Sequence, residues 1–214
     1  MSSSIRDDIA AIMKKKGRRV PLLYRGDEER AYIAQWISRD LKSFPSPEIE
    51  QSIEQTILAC SRCGSVAERK IGYGSGANRV MIILNSPGLI SSVEKKVYRT
   101  ESVALLKKMV HAIGLKFNEC YVTNLIKCEV SDSLVQPSEI VSNCGHILRR
   151  EIDFYRPEIV IVLGDLSPLH KIIKQSRGIS WHNTEHPITL LKNPDLKRKA
   201  WETLKVVMEK LGER

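Results

Sequence analysis

Two apolar runs of strand length, Val80–Leu84 and Ile159–Leu163, carry no polar residue at alternate positions. A strand wetted on one face alternates, whereas a strand covered on both faces reads as a continuous Val/Ile/Leu-rich run. The first run leaves into Asn85-Ser86-Pro87-Gly88 and the second into Gly164-Asp165, both turn-forming sequences. Cys120–Ile126 is expected to be a third strand. Helical spacing of apolar residues marks Ser52–Ala59, Ser102–Ile113 (stopped by Gly114), Ser138–Tyr155, Leu166–Lys174 and Asp195–Leu211. A polar stretch containing Trp181 and His182 leads to His186-Pro187. Strands separated by helices pair in parallel through right-handed crossovers, so the expected class is α/β: a three-layer α/β/α sandwich with a mainly parallel central sheet.

In such sheets sites form where loops leave the carboxyl ends of strands, which makes Asn85, Asn124 and the Gly164-Asp165 turn the candidates. Gly72-Tyr73-Gly74-Ser75-Gly76 precedes the first strand rather than following it, so it is read as a flexible turn and not as a phosphate loop. Residues 1–46 are expected to form a basic helical arm, with the run Lys14-Lys15-Lys16-Gly17-Arg18-Arg19 and an amphipathic Asp27–Leu41. Pro45 and Pro47 then separate it from a body at 47–214. The net charge of +9 favours polyanionic partners. No apolar run approaches the ~18 residues of a membrane span, and the start lacks an apolar leader, so a cytoplasmic protein with no membrane partner is expected.

Five cysteines in a chain read as intracellular point to ligation rather than a disulfide framework. Cys60-Ser61-Arg62-Cys63 sets two thiols within reach of one centre, while Cys128 and Cys144 stand sixteen positions apart, too wide for the second knuckle of a zinc ribbon. An iron–sulfur cube takes one thiolate at each iron from a different direction, so the spacing leans towards iron–sulfur over zinc. Cys120, within the expected strand, is read as a small core residue.

Taken in order, Cys60-x-x-Cys63, Tyr121-Val122-Thr123-Asn124-Leu125-Ile126-Lys127-Cys128, Cys144, Arg156-Pro157-Glu158-Ile159-Val160, His186-Pro187, Leu190-Leu191-Lys192-Asn193-Pro194 and Trp201 resemble the iron–sulfur branch, family 4, of the uracil-DNA glycosylase superfamily. The likeness runs from about Thr56 to Leu204 and leaves the arm outside. It implies a structural 4Fe-4S cluster on Cys60, Cys63, Cys128 and Cys144. It also implies a monofunctional enzyme hydrolysing the N-glycosidic bond of uracil or a related deaminated base in DNA, acting as a nucleoid-associated monomer. An extruded base needs a stacking platform, for which Tyr98 falls at the family's phenylalanine, and a donor–acceptor group for its Watson–Crick edge, for which Asn124 matches. His186 matches the donor that faces the departing anion, and Pro87 and Gly88 fall at the base.

The pocket motifs depart from the family. Its Gly-Glu-Ala-Pro-Gly is here Leu84-Asn85-Ser86-Pro87-Gly88, so the carboxylate is replaced by Asn85, which cannot act as a base but can orient a water through its carbonyl oxygen. Its Pro-Phe-x-Gly-x-x-Gly aligns with Val97–Val103 and loses both glycines, and Glu129 stands where arginine is common. The ranking is a glycosylase first, a catalytically impaired iron–sulfur DNA-binding protein second, and a zinc-stabilised protein unrelated to DNA third.

Overall fold

The computed structural model describes residues 47–64, 66–85, 97–130 and 137–213, all within one unit, Pro45–Arg214. The expected arm and two of the candidate residues, Pro87 and Gly88, lie outside the described residues. The elements run α1 (Pro47–Ala59), β1 (Val66–Arg69), β2 (Val80–Asn85), α2 (Arg99–Ala112), β3 (Tyr121–Asn124), β4 (Cys128–Val130), α3 (Pro137–Tyr155), β5 (Ile159–Gly164), a 3-10 turn (Ser167–Leu169), α4 (His170–Gln175), β6 (Ser180–Thr184), α5 (Pro187–Lys192) and α6 (Leu196–Gly212). No described helix is long and apolar enough to cross a membrane.

The main sheet has the order β3-β2-β5-β6 and every pairing in it is parallel. In register, Ile82 stands beside Val122 on one side and Ile161 on the other, so these three share a face. They pack with Leu106, Met109 and Val110 of α2 and with Ala200, Leu204 and Val207 of α6. Met81, Ile83, Val160 and Val162 point the other way, against Leu148 and Ile152 of α3 and Ile172 of α4. Both faces are thus covered, as the unbroken apolar runs require, and each fully buried Ile or Val contributes roughly 1.5–3 kcal/mol of burial.

The polar Ser180–Thr184 stretch, read as a connection, is strand β6. It is an edge, hydrogen-bonded only to β5, so it needs no apolar run and gives no signal of one. Cys128, expected at a helix start or in a loop, lies in β4, which pairs antiparallel with β1. Three residues are too few to show a period. The glycine-rich segment is not a free turn: Tyr73 N donates to Val122 O at 2.8 Å and Val122 N to Tyr73 O at 2.7 Å, so it lies along the outer edge of β3. A Cβ on Gly74, whose φ is +93°, would sit 1.9 Å from Cys120 O. Cys120 itself is buried in the core, where Asn78 Nδ2 donates to its sulfur at 3.2 Å, in keeping with a packing role.

Gly164 ends β5 with φ +119°, and a Cβ there would stand 2.0 Å from Asn85 O. Gly164→Ala is therefore expected to lower stability by roughly 1–3 kcal/mol, read as a lower Tm, since β2 and β5 must part at the end where the candidate residues stand. An unchanged Tm would show that the strand end yields without strain.

Candidate active site

A cavity of about 330 Å³ opens at the carboxyl end of the sheet. Leu84 at the end of β2, Asn124 at the end of β3 and His186 at the start of α5 all line it, with Arg99, Ser102 and Val103 from the first turns of α2 and Glu129 from β4. This is where loops leave parallel strands, so the topology supplies the pocket. Asn124 is half-buried, and its carboxamide makes no hydrogen bond among the described residues, which leaves both its donor and its acceptor for a ligand.

His186 is 5% exposed and caps α5, its Nδ1 accepting from Ile188 N at 3.2 Å. Pro187 at the first helical position has no N–H to satisfy, so the first orphan donor of the turn is that of Ile188. Because Nδ1 is the acceptor, the neutral ring carries its proton on Nε2, and one backbone bond fixes both the ring's orientation and its tautomer.

Asn85 is buried, and its Nδ2 donates to Asp165 O at 2.8 Å, a bond that ties the end of β2 to the turn after β5 and leaves Oδ1 as its acceptor. Asn85 is not among the residues lining the cavity. Tyr98 is half-buried at the amino-terminal cap of α2, next to Arg99; its ring does not line the cavity and its hydroxyl has no partner among the described residues. The sequence-derived set is therefore brought together in part: Asn124 and His186 line one cavity, and Asn85 and Tyr98 do not line it. At the rim Arg99 pairs with Glu68 at 2.7 Å, beside Arg69 and Lys70.

A family model of the uracil DNA glycosylase superfamily matches residues 71–205, a span that holds every strand of the main sheet and both cavity-lining candidates. The chain belongs to the uracil DNA glycosylase superfamily. Among curated proteins it is similar to the type-4 uracil-DNA glycosylase of Saccharolobus solfataricus, 26% identical over 184 residues, covering 75% of this chain and 85% of that one. It is likewise similar to that of Sulfurisphaera tokodaii, 24% identical with 74% and 83% covered, and to that of Archaeoglobus fulgidus, 26% identical with 52% and 58% covered.

Within this superfamily member a second polar centre adjoins the sheet. Cys63, Cys128 and Cys144 are buried and Cys60 half-buried, delivered by the turn after α1, by β4 and by α3. Burial, followed by the neighbouring thiols of Cys144 and Cys63, pushes the Cys128 thiol up to about 11, with Cys60 adding to the rise and Arg69 opposing it. Burial raises Cys144 too, against the N–H of Lys127, with Cys63 and Cys60 again contributing. The thiols of Cys60, Cys63 and Cys144 thus stand near enough to Cys128 to raise it. Among the described residues no three His, Cys, Asp or Glu side chains meet tightly enough to hold one metal ion. Two sulfurs receive donors: Lys127 N to Cys144 at 3.4 Å and Asn143 Nδ2 to Cys63 at 3.5 Å.

The sequence reading did not single out the network beneath both sites. Glu151 of α3 is fully buried, and its two oxygens accept from Lys127 Nζ, Tyr121 OH (2.8 Å) and Thr123 Oγ1 (3.0 Å), while Lys127 Nζ also donates to Thr123 Oγ1 at 2.6 Å. Burial pulls the Lys127 ammonium below its usual range, against the pull of Glu151. The only sequence signal was a lysine set among Leu125, Ile126 and Cys128.

Proposed function

We propose that this protein is a uracil-DNA glycosylase, acting as a monomer on DNA, that holds a 4Fe-4S cluster on Cys60, Cys63, Cys128 and Cys144. The observation that carries the reading is the convergence of Asn124 and His186 on one cavity at the carboxyl ends of the strands. Extruding a nucleotide from the stack takes a few kcal/mol, offset by a pocket that reads the base. The Asn124 carboxamide offers one donor and one acceptor to the Watson–Crick edge of uracil. As the glycosidic bond breaks, negative charge grows on the uracil oxygen, and the Nε2–H of His186, already oriented by its cap bond, stabilises that charge more than the ground state. Asn85 accepts a hydrogen bond from the attacking water through Oδ1, and Tyr98, Pro87 and Gly88 are the further base-binding residues that the family resemblance offers.

The donor set suits a cube of iron and sulfur: four thiols, two from the turn after α1 and one each from β4 and α3, with N–H donors that offset thiolate charge. When bound, the cluster supplies a tie between the turn after α1, β4 and α3 rather than a reacting group.

The test is incubation with uracil-containing single- and double-stranded oligonucleotides followed by alkaline cleavage. A nick at the uracil position is expected; salt-sensitive binding without any nick would leave a DNA-binding protein that has lost the chemistry. Cys144→Ser is expected to lower the iron content per chain and the brown visible absorbance, measured by colorimetric iron assay on anaerobically purified protein. Stoichiometric zinc without iron would overturn the cluster assignment. Asn85→Asp sets an oxygen where Nδ2 now donates to Asp165 O, so a lower Tm and slower uracil release are expected. Faster release would show that the position lacks a base and that its donor is dispensable.

A further inference from the structure

At the opposite end of the sheet a second cavity, of about 620 Å³, opens below the amino-terminal ends of β2 and β5. Its size is that of a small-ligand pocket. Four arginines line it from four segments: Arg79 before β2, Arg149 on α3, Arg156 between α3 and β5, and Arg177 between α4 and β6. Two acids share the wall, Asp153 and Glu158, and Glu158 is bound by Arg79 Nη1 at 2.6 Å. The other guanidinium nitrogens of Arg79, Nε and Nη2, donate to Arg156 O, each at 3.4 Å. The guanidinium groups of Arg149, Arg156 and Arg177 make no ion pair or hydrogen bond among the described residues. Three cations therefore face this space against the one carboxylate of Asp153.

The backbone turns that present two of these arginines are held within the protein. Arg79 (φ 57°) and Arg156 (φ 43°) are the two non-glycine residues with positive φ among the described residues, and both line this cavity. Arg79 has a structural reason, since its side chain clasps the neighbouring turn. Arg156 closes α3 as its left-handed cap, its N–H donating to Ile152 O at 2.9 Å, while its guanidinium bonds to nothing among the described residues. The three unbonded guanidinium groups are exposed and open to an anion from outside the chain. Guanidinium forks match phosphate oxygens two at a time, and Ile152 and Ile172 give the cavity an apolar floor on which a flat base can lie.

We propose that this cavity is a second ligand site, remote from the candidate active site, that binds the phosphate of a nucleotide between Arg149, Arg156 and Arg177. The nucleotide is either free or the 5′-phosphorylated end of a nucleic-acid strand.

Isothermal titration with adenosine diphosphate, and with thymidine octamers with and without a 5′-phosphate, distinguishes the two sources. Binding of the diphosphate identifies a free nucleotide; tighter binding of the phosphorylated octamer, without binding of the diphosphate, identifies a strand end. An Arg149→Ala/Arg177→Ala variant is expected to weaken the phosphate-dependent binding by about tenfold or more. Its uracil release from an unphosphorylated oligonucleotide is expected to stay at the parent rate, so failure of this site is separable from failure of the glycosylase reading. Arg156→Gly relieves the backbone, and an equal or higher Tm together with weaker phosphate binding is expected, a pairing that a structural role for Arg156 would not produce. Absence of phosphate-dependent binding by either probe, or binding indifferent to all three arginine substitutions, overturns the proposal.

Discussion

A His186→Ala variant is expected to release uracil about 10²–10³-fold more slowly than the parent in single turnover, with DNA affinity little changed. The effect is confined to the chemical step because the oxygen that Nε2–H faces becomes strongly basic only as the bond to the sugar breaks. His186 also caps α5, and losing that acceptor costs about 1 kcal/mol. Tm must therefore be measured beside the rate. His186→Asn separates the roles, since asparagine caps a helix well and still carries an N–H donor. Partial recovery of rate in His186→Asn supports the donor role, whereas a lower Tm with an unchanged rate in His186→Ala would reduce His186 to a cap.

The second large effect falls on stability. Glu151→Ala removes the carboxylate that accepts from Lys127, Tyr121 and Thr123 and leaves a buried ammonium without its counter-charge. A loss of roughly 3–5 kcal/mol follows, or a Tm lower by roughly 6–20 °C for a body of this size. Lys127 also places its backbone N–H on the Cys144 sulfur and adjoins Cys128, so the variant is expected to lose iron as it loses stability. A Lys127→Met/Glu151→Leu double variant removes both charges at once. It is expected to recover most of the Tm, because replacing a buried pair with apolar groups is often near neutral. Failure to recover would show that the hydroxyls of Tyr121 and Thr123, left without their acceptor, matter more than the ion pair.

The parts of the fold legible in the sequence were those with a period or a continuous run. Val80–Leu84 and Ile159–Leu163 announced a doubly covered sheet because burial on both faces removes every polar residue. β6 was illegible for the converse reason: an edge strand can be Ser-Trp-His-Asn-Thr and still hold its ladder through β5. The short β1 and β4 lack the length to show alternation. At the site, position after a strand pointed to Asn124 and the family resemblance to His186, and the cavity does gather these two. What the sequence could not show is the cap bond that fixes the histidine tautomer, or that Glu151, in an ordinary-looking Arg-Arg-Glu on a helix, turns inward. Such facts depend on which face of α3 meets β3, and that is settled by packing across the whole sheet.

The segment from Lys70 to Ser75, laid along β3, also governs how this molecule meets copies of itself. A bare outer strand is a template on which another chain's backbone can grow, and here the template is already occupied by the protein's own main chain, with a glycine where any side chain would collide. A bulky residue at Gly74 would lift that strap and bare this edge of the sheet to other chains.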